Sequence, residues 1–220
     1  MNNNEKEQVR FENEVKIAIS EKNKNNVSFS AILVSKTTPK ILLDIGFNNL
    51  PILLSKSHLY SALKTKNYKK HHKGLSLENH IFKIPHYLKC PALIINDSNP
   101  KHSGDVLLVV NDYDSDFLPI VISIRGNSHR GKYVNVDTSN YIITIFPHND
   151  IVGLITSAVN NNDIIFYNKK RIQEMCQFTG KNVSNILAPL KSNIILQHFV
   201  DNVKLISAVT KKGSHDDPEQ

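Results

Sequence analysis

Between Asp44 and Glu78 the chain has no acidic residue, yet it carries six lysines and three histidines. They are Lys56, His58, Lys64, Lys66, Lys69, Lys70, His71, His72 and Lys73, and they are densest in Lys69-Lys70-His71-His72-Lys73. Lysine supplies fixed positive charge for phosphoryl oxygens, and imidazole is the side chain best suited to exchange protons near neutral pH. Binding a polyanion needs only the lysines. Cleaving a phosphodiester needs cations and a proton shuttle together, and this segment offers both.

The bulk properties agree with a polyanionic partner. The formal charge is +7 and the isoelectric point is near 9.3, which favours nucleic acid. A hydrophobic content of 40% with 21% charged residues belongs to a globular chain, and 220 residues suffice for one domain with extensions. Cys90 and Cys176 lie far apart and outside any C-x-x-C pattern, so neither a zinc site nor a disulfide framework is expected. No apolar run approaches a membrane span, and MNNNEKEQVRF lacks the apolar stretch of a secretory leader; the expectation is a cytoplasmic protein without membrane contact.

Other constellations lack key residues. Asp112, Asp114 and Asp116 have the spacing of a calcium loop, but Phe117 stands where glycine is required and Ser123 where the bidentate Glu belongs. Adjacent His71 and His72 cannot easily turn both rings to one metal, and no carboxylate lies nearby. No glycine-rich phosphate loop and no G-x-S-x-G elbow occurs. No metal or other cofactor is expected. Tyr60, Tyr68 and Tyr87, interleaved with lysines, could stack bases, but tyrosines at this density are more often ordinary packing residues.

The elements that must position these residues follow from periodicity. Phe11, Val15 and Ile19 recur at helical spacing in an N-terminal helix. Residues 27–34 read as a strand. Thr38 and Pro39 read as N-cap and N1 of a helix stopped by Gly46. LPILLS is a second strand, and a helix over 57–64 leads into the basic cluster. Ser76 is read as the cap of a helix SLENHIFKI that Pro85 ends. Thereafter PALIIND, DVLLVVN, LPIVISI, KYVNVD and YIITIF are β-rich, the second and third forming a hairpin around residues 112–116. Asp150 caps a helix, DIIFY is a strand, and NKKRIQEMCQFTG is a helix; NIILQHF and NVKLISAV are ambiguous before an acidic tail. The fold class is α+β: helices first, then a compact, mostly antiparallel twisted sheet. The expected divisions are an N-terminal helical extension (1–26), the main domain (27–180) and a C-terminal extension (181–220).

Residues 28–167 carry ordered motifs: Thr38-Pro39, Leu63-Lys64 followed by His71 or His72, Ile84-Pro85 with Leu88 and Pro91, Asp97-Ser98, Ile142 with Thr144 and Phe146, and Tyr167-Asn168-Lys169. In this order they resemble the C-terminal domain of phage MuF-type head proteins, the phage members of the barnase–EndoU–colicin–RelE-like nuclease group. Two positions depart from that pattern: Phe146 replaces a tyrosine, and His148 stands where a lysine is common. The resemblance implies a sheet of the barnase/EndoU/RelE type and a metal-independent endoribonuclease acting as a toxin or defence effector. RNA is then the substrate, and a neutralising immunity protein or antitoxin the partner. It assigns His71 or His72 as general acid/base, Lys64 as the transition-state cation and Thr144 as a hydroxyl donor. His58 and His148 are further catalytic candidates. Lys56, Lys66, Lys69, Lys70, Lys73 and Ser98 would bind substrate. The competing expectation is a catalytically silent adaptor of the same fold, binding nucleic acid or protein.

Overall fold

The computed structural model describes residues 3–23, 31–64, 75–97, 104–128 and 138–179. His71, His72, Lys66, Lys69, Lys70, Lys73 and Ser98 lie outside the described residues, as do the KYVNVD, NIILQHF and NVKLISAV segments. Seven strands form one sheet: β1 (Ala31–Ser35), β2 (Ile52–Ser55), β3 (Leu93–Asn96), β4 (Asp105–Tyr113), β5 (Pro119–Ser128), β6 (Ser139–Pro147) and β7 (Ile164–Tyr167). Their spatial order is β1-β2-β6-β5-β4-β3-β7. Every neighbouring pair is antiparallel except β2 and β6, which run parallel, with Leu54 beside Ile142. The sheet is therefore mixed. The expected hairpin is present: Asp114 Oδ1 accepts from the N–H groups of Asp116 and Leu118, and Phe117 closes the turn at φ 59°.

Side chains alternate across this sheet, so each strand feeds two cores. The first face carries Ile32, Leu54, Ile142, Ile122, Ile124 and Leu108. It packs under α1 (Asn3–Asn23), α2 (Lys40–Asp44), α3 (Lys56–Leu63), a 3₁₀ turn at Ile81–Lys83 and α4 (Ile84–Tyr87). On the second face, α5 (Ile151–Asn160) and α6 (Lys169–Thr179) cover Leu93, Ile95, Val109 and Val121. Farther along the second face, Ala31, Leu33, Leu53 and Tyr141 form a separate cluster made of strand residues alone. Where both faces are covered, the strands read as nearly unbroken apolar runs.

Helix α1 belongs to the core: Phe11, Val15 and Ala18 are fully buried. It also guards the sheet edge. Arg10 donates to the Leu33 carbonyl (2.6 Å), and Glu14 accepts from the Leu33 N–H (3.0 Å), so two side chains fill the outward hydrogen-bonding positions of edge strand β1. Local expectations fail at three residues. Thr38 is not a helix cap; its hydroxyl bonds the carbonyls of Asn48 and Leu50 and accepts from buried Asn140, while Pro39 takes the cap position without a side-chain bond. Pro85 begins a helix rather than ending one, because a proline in the first turn forfeits no helical hydrogen bond. Ser76 closes only a turn, and buried His80 pins that turn to β4, with Nδ1 accepting from Ser76 N–H and Nε2 donating to the Tyr113 carbonyl.

Candidate active site on the second face of the sheet

Strand β6 builds the site because it lies between β2 and β5 and changes register midway. Ser123 pairs with Thr144, but Ile124 pairs with Ile142, leaving Ile143 as a bulged extra residue. A bulge re-aims the residues beyond it. Ile122 and Ile124 enter the first core, so Ser123, and Thr144 beside it, stand on the second face. Tyr141 and Arg125 form the next pair on that face. Strand β2 ends beside this point and passes into α3 without a loop, since Ser55 Oγ accepts from the His58 N–H (3.0 Å) and caps the helix. That cap holds His58 at the strand end, where its ring meets Tyr141 edge-on at 6.3 Å.

Two polar atoms here are buried without a hydrogen-bond partner, His58 Nδ1 and Ser123 Oγ. Leaving such groups unsatisfied costs about 1–3 kcal/mol each, so they are rare and call for a reason. Burial lowers the His58 pKa below the usual imidazole value, which keeps the ring neutral and able to accept a proton. Arg125 supplies fixed positive charge two residues along β5 from Ser123. It grips fully buried Asp105 on β4 with two hydrogen bonds, Nε to Oδ1 and Nη2 to Oδ2. The pairing fixes the guanidinium plane and avoids an uncompensated buried carboxylate. A phenol, two hydroxyls and a fixed guanidinium thus share the second face, and a neutral imidazole meets the phenol at the strand end, a donor set suited to handling a phosphodiester.

The expected site residues distribute unevenly around this cluster. Thr144 stands opposite Ser123 on the second face, and His58 meets Tyr141 at the strand end. Lys64 is exposed just past α3, whose Leu59 and Tyr60 enter the first core, six residues on from His58. His148 lies just past the end of β6, its ring tilted against Phe146 with centroids 5.9 Å apart, its Nδ1 accepting from the Asp150 N–H. Phe146 itself packs into the core beneath α5 and α6. Lys56 departs from its expected role in gathering RNA: it is buried, and its ammonium is held by Glu21 of α1 at 2.6 Å. A lysine next to a helix cap looks solvated in sequence, but here the approach of α1 removes it from water.

Sequence reasoning passed over Ser123, Tyr141, Arg125 and Asp105. A signal existed: Asp105 and Arg125 are lone charges at the margins of apolar strands, and buried charges must find one another. Among the described residues no three His, Cys, Asp or Glu side chains gather as metal ligands, and no helix is long and apolar enough to cross a membrane.

The family model of the phage MuF C-terminal domain matches residues 64–174, from the residue after α3 into the middle of α6. No match was found among curated proteins or solved structures. The matched span contains Ser123, Arg125, Tyr141 and Thr144, with His58 just upstream. Covering just over half of the 220 residues, it shows that this chain belongs to the phage MuF C-terminal domain family.

Proposed function

We propose that this phage MuF-type domain is a metal-independent endoribonuclease that acts as a toxin or defence effector. The observation that carries the reading is His58: a neutral imidazole with an unpartnered nitrogen, beside Tyr141 and the hydroxyl-bearing second face of β6. In this chemistry the ribose 2′-oxygen bonds to the neighbouring phosphorus while the P–O5′ bond breaks. His58 takes the 2′-hydroxyl proton, and His71 or His72 returns a proton to the departing 5′-oxygen. The products are a 2′,3′-cyclic phosphate and a free 5′-hydroxyl. Thr144 and Ser123 donate to the phosphoryl oxygens, and Arg125 and Lys64 offset their growing charge. Lys66, Lys69, Lys70 and Lys73 gather the RNA electrostatically. Such a nuclease needs a neutralising partner in the cell that makes it.

The test is RNA cleavage by the purified full chain in excess chelator, scoring cyclic-phosphate ends. His58→Ala should slow single-turnover cleavage about 10²–10⁴-fold with the fold retained, and His71→Ala combined with His72→Ala should do the same. A protein that leaves both structured and single-stranded RNA intact, and is harmless when expressed, is instead the silent adaptor.

A further inference from the structure

A cavity of about 410 Å³ opens where β4 runs on past β3 between α4 and α6. Its wall carries Lys83, His86, Tyr87, Cys90, Asp112 and Arg171. None of these takes part in the cleavage proposed above. Asp112 stands five residues along β4 from Leu107, the partner of Ser123, roughly 15 Å at strand spacing, so the cavity is a separate place.

The charges there are unevenly satisfied. Asp112 accepts from Lys83 at 2.8 Å and from the Tyr87 hydroxyl at 2.6 Å. Burial alone would raise the Asp112 pKa, but these bonds outweigh it and hold the carboxyl below its usual range. The one acid of the wall is thus already compensated. Arg171 is not: its guanidinium donates to the neutral Cys90 carbonyl, and among the described residues no carboxylate pairs with it. Arg171 also ends a run, Lys169-Lys170-Arg171, that fills the first turn of α6 after its Asn168 cap. Three cations at a helix N-terminus oppose the helix dipole, and no acid in that turn offsets them. An anion bound beside Arg171 removes the conflict.

From the cavity and this charge pattern together we infer that the chain holds a second, nucleotide-binding site. A phosphate meets Arg171 and Lys83, while Asp112 accepts from a ribose hydroxyl and exposed His86 lies against the nucleoside. The volume sits within the range of about 300–1,000 Å³ for small-ligand sites, enough for one nucleotide but not for folded RNA. The nucleotide can be a free monophosphate or one unit of a strand.

Cys90, half-buried in the wall, provides the readout. In the full chain carrying Cys176→Ser, the rate of Cys90 alkylation by iodoacetamide is measured with inorganic phosphate, with each 5′-nucleoside monophosphate, and with a short oligoribonucleotide. A monophosphate should slow alkylation, and Arg171→Gln should weaken that protection by about tenfold. Because Arg171 also bonds the Cys90 carbonyl, exposed Lys83→Gln and His86→Gln give the same comparison if Arg171→Gln does not fold. Protection by the oligonucleotide alone, lost in the same variants, assigns the site to a strand. Absence of protection by any nucleotide, protection indifferent to all three variants, or equal protection by inorganic phosphate would overturn the inference. RNA cleavage depending on His58 but not on Arg171 separates this site from the catalytic proposal.

Discussion

At the scale of single residues, the second face of the sheet holds polar atoms that folding alone would not retain. Ser123 Oγ is buried and unpartnered. Replacing it with alanine removes that penalty, so Ser123→Ala should raise the unfolding free energy by about 1 kcal/mol in denaturant titration. The same variant should cleave RNA more slowly; a stabilised and fully active variant removes Ser123 from the site. His58 makes a pH-dependent claim. Its pKa is lowered by burial from 6.5, so below about pH 6.5 the unfolded chain takes up a proton that the folded chain resists. Acid therefore favours unfolding, and the His58 contribution to stability grows as pH rises through that window. His58→Phe should shrink the difference in denaturation midpoint between about pH 5 and pH 7.5. An undiminished difference means the imidazole is not held neutral.

Secondary elements are held by side chains that act as backbone substitutes. Fully buried Asn140 donates to Thr38 Oγ1 (2.7 Å) and the Asn48 carbonyl (3.0 Å) and accepts from the Asn127 N–H, joining the start of β6 to the α2–β2 connection and the end of β5. Asn140→Ala strands several of these groups at once and should cost about 3 kcal/mol in equilibrium unfolding. A loss near zero would mean that water replaces the amide. At the sheet edge, Arg10 and Glu14 stand where a further strand would bond. The double alanine variant should expose the β1 edge and associate with rising concentration in sedimentation, where the parent chain does not.

Over the whole molecule, the N-terminal helix and the matched family span form one packed body. Phe11 is fully buried against the first face of the sheet, so Phe11→Ala should cost about 3–5 kcal/mol in thermal or chemical unfolding. A smaller loss would show α1 to be the detachable extension that its polar, Asn-rich start suggests. On the second face, Ser123 and Thr144 stand beside the bulge at Ile143, and the cap at Ser55 holds His58 against Tyr141 at the end of β2.

The sequence by itself determined most of the elements and the α+β class. Helical spacing marked α1, apolar runs marked six of the seven strands closely, Gly46 (φ 99°) ended α2, and Asp150 capped α5 through the Gly153 N–H. These are local effects of periodicity, capping and turn chemistry, written within a few neighbouring residues. Tertiary structure alone decided that β2 lies parallel to β6, that Lys56 serves α1, that Pro85 opens a helix, that Arg125 pairs with Asp105, and that Ser123 shares a sheet face with Tyr141, which meets His58. Those outcomes depend on pairings between residues far apart in the chain. They are selected by which arrangement buries both faces of the sheet and satisfies the buried charges together, and no window of sequence carries that sum.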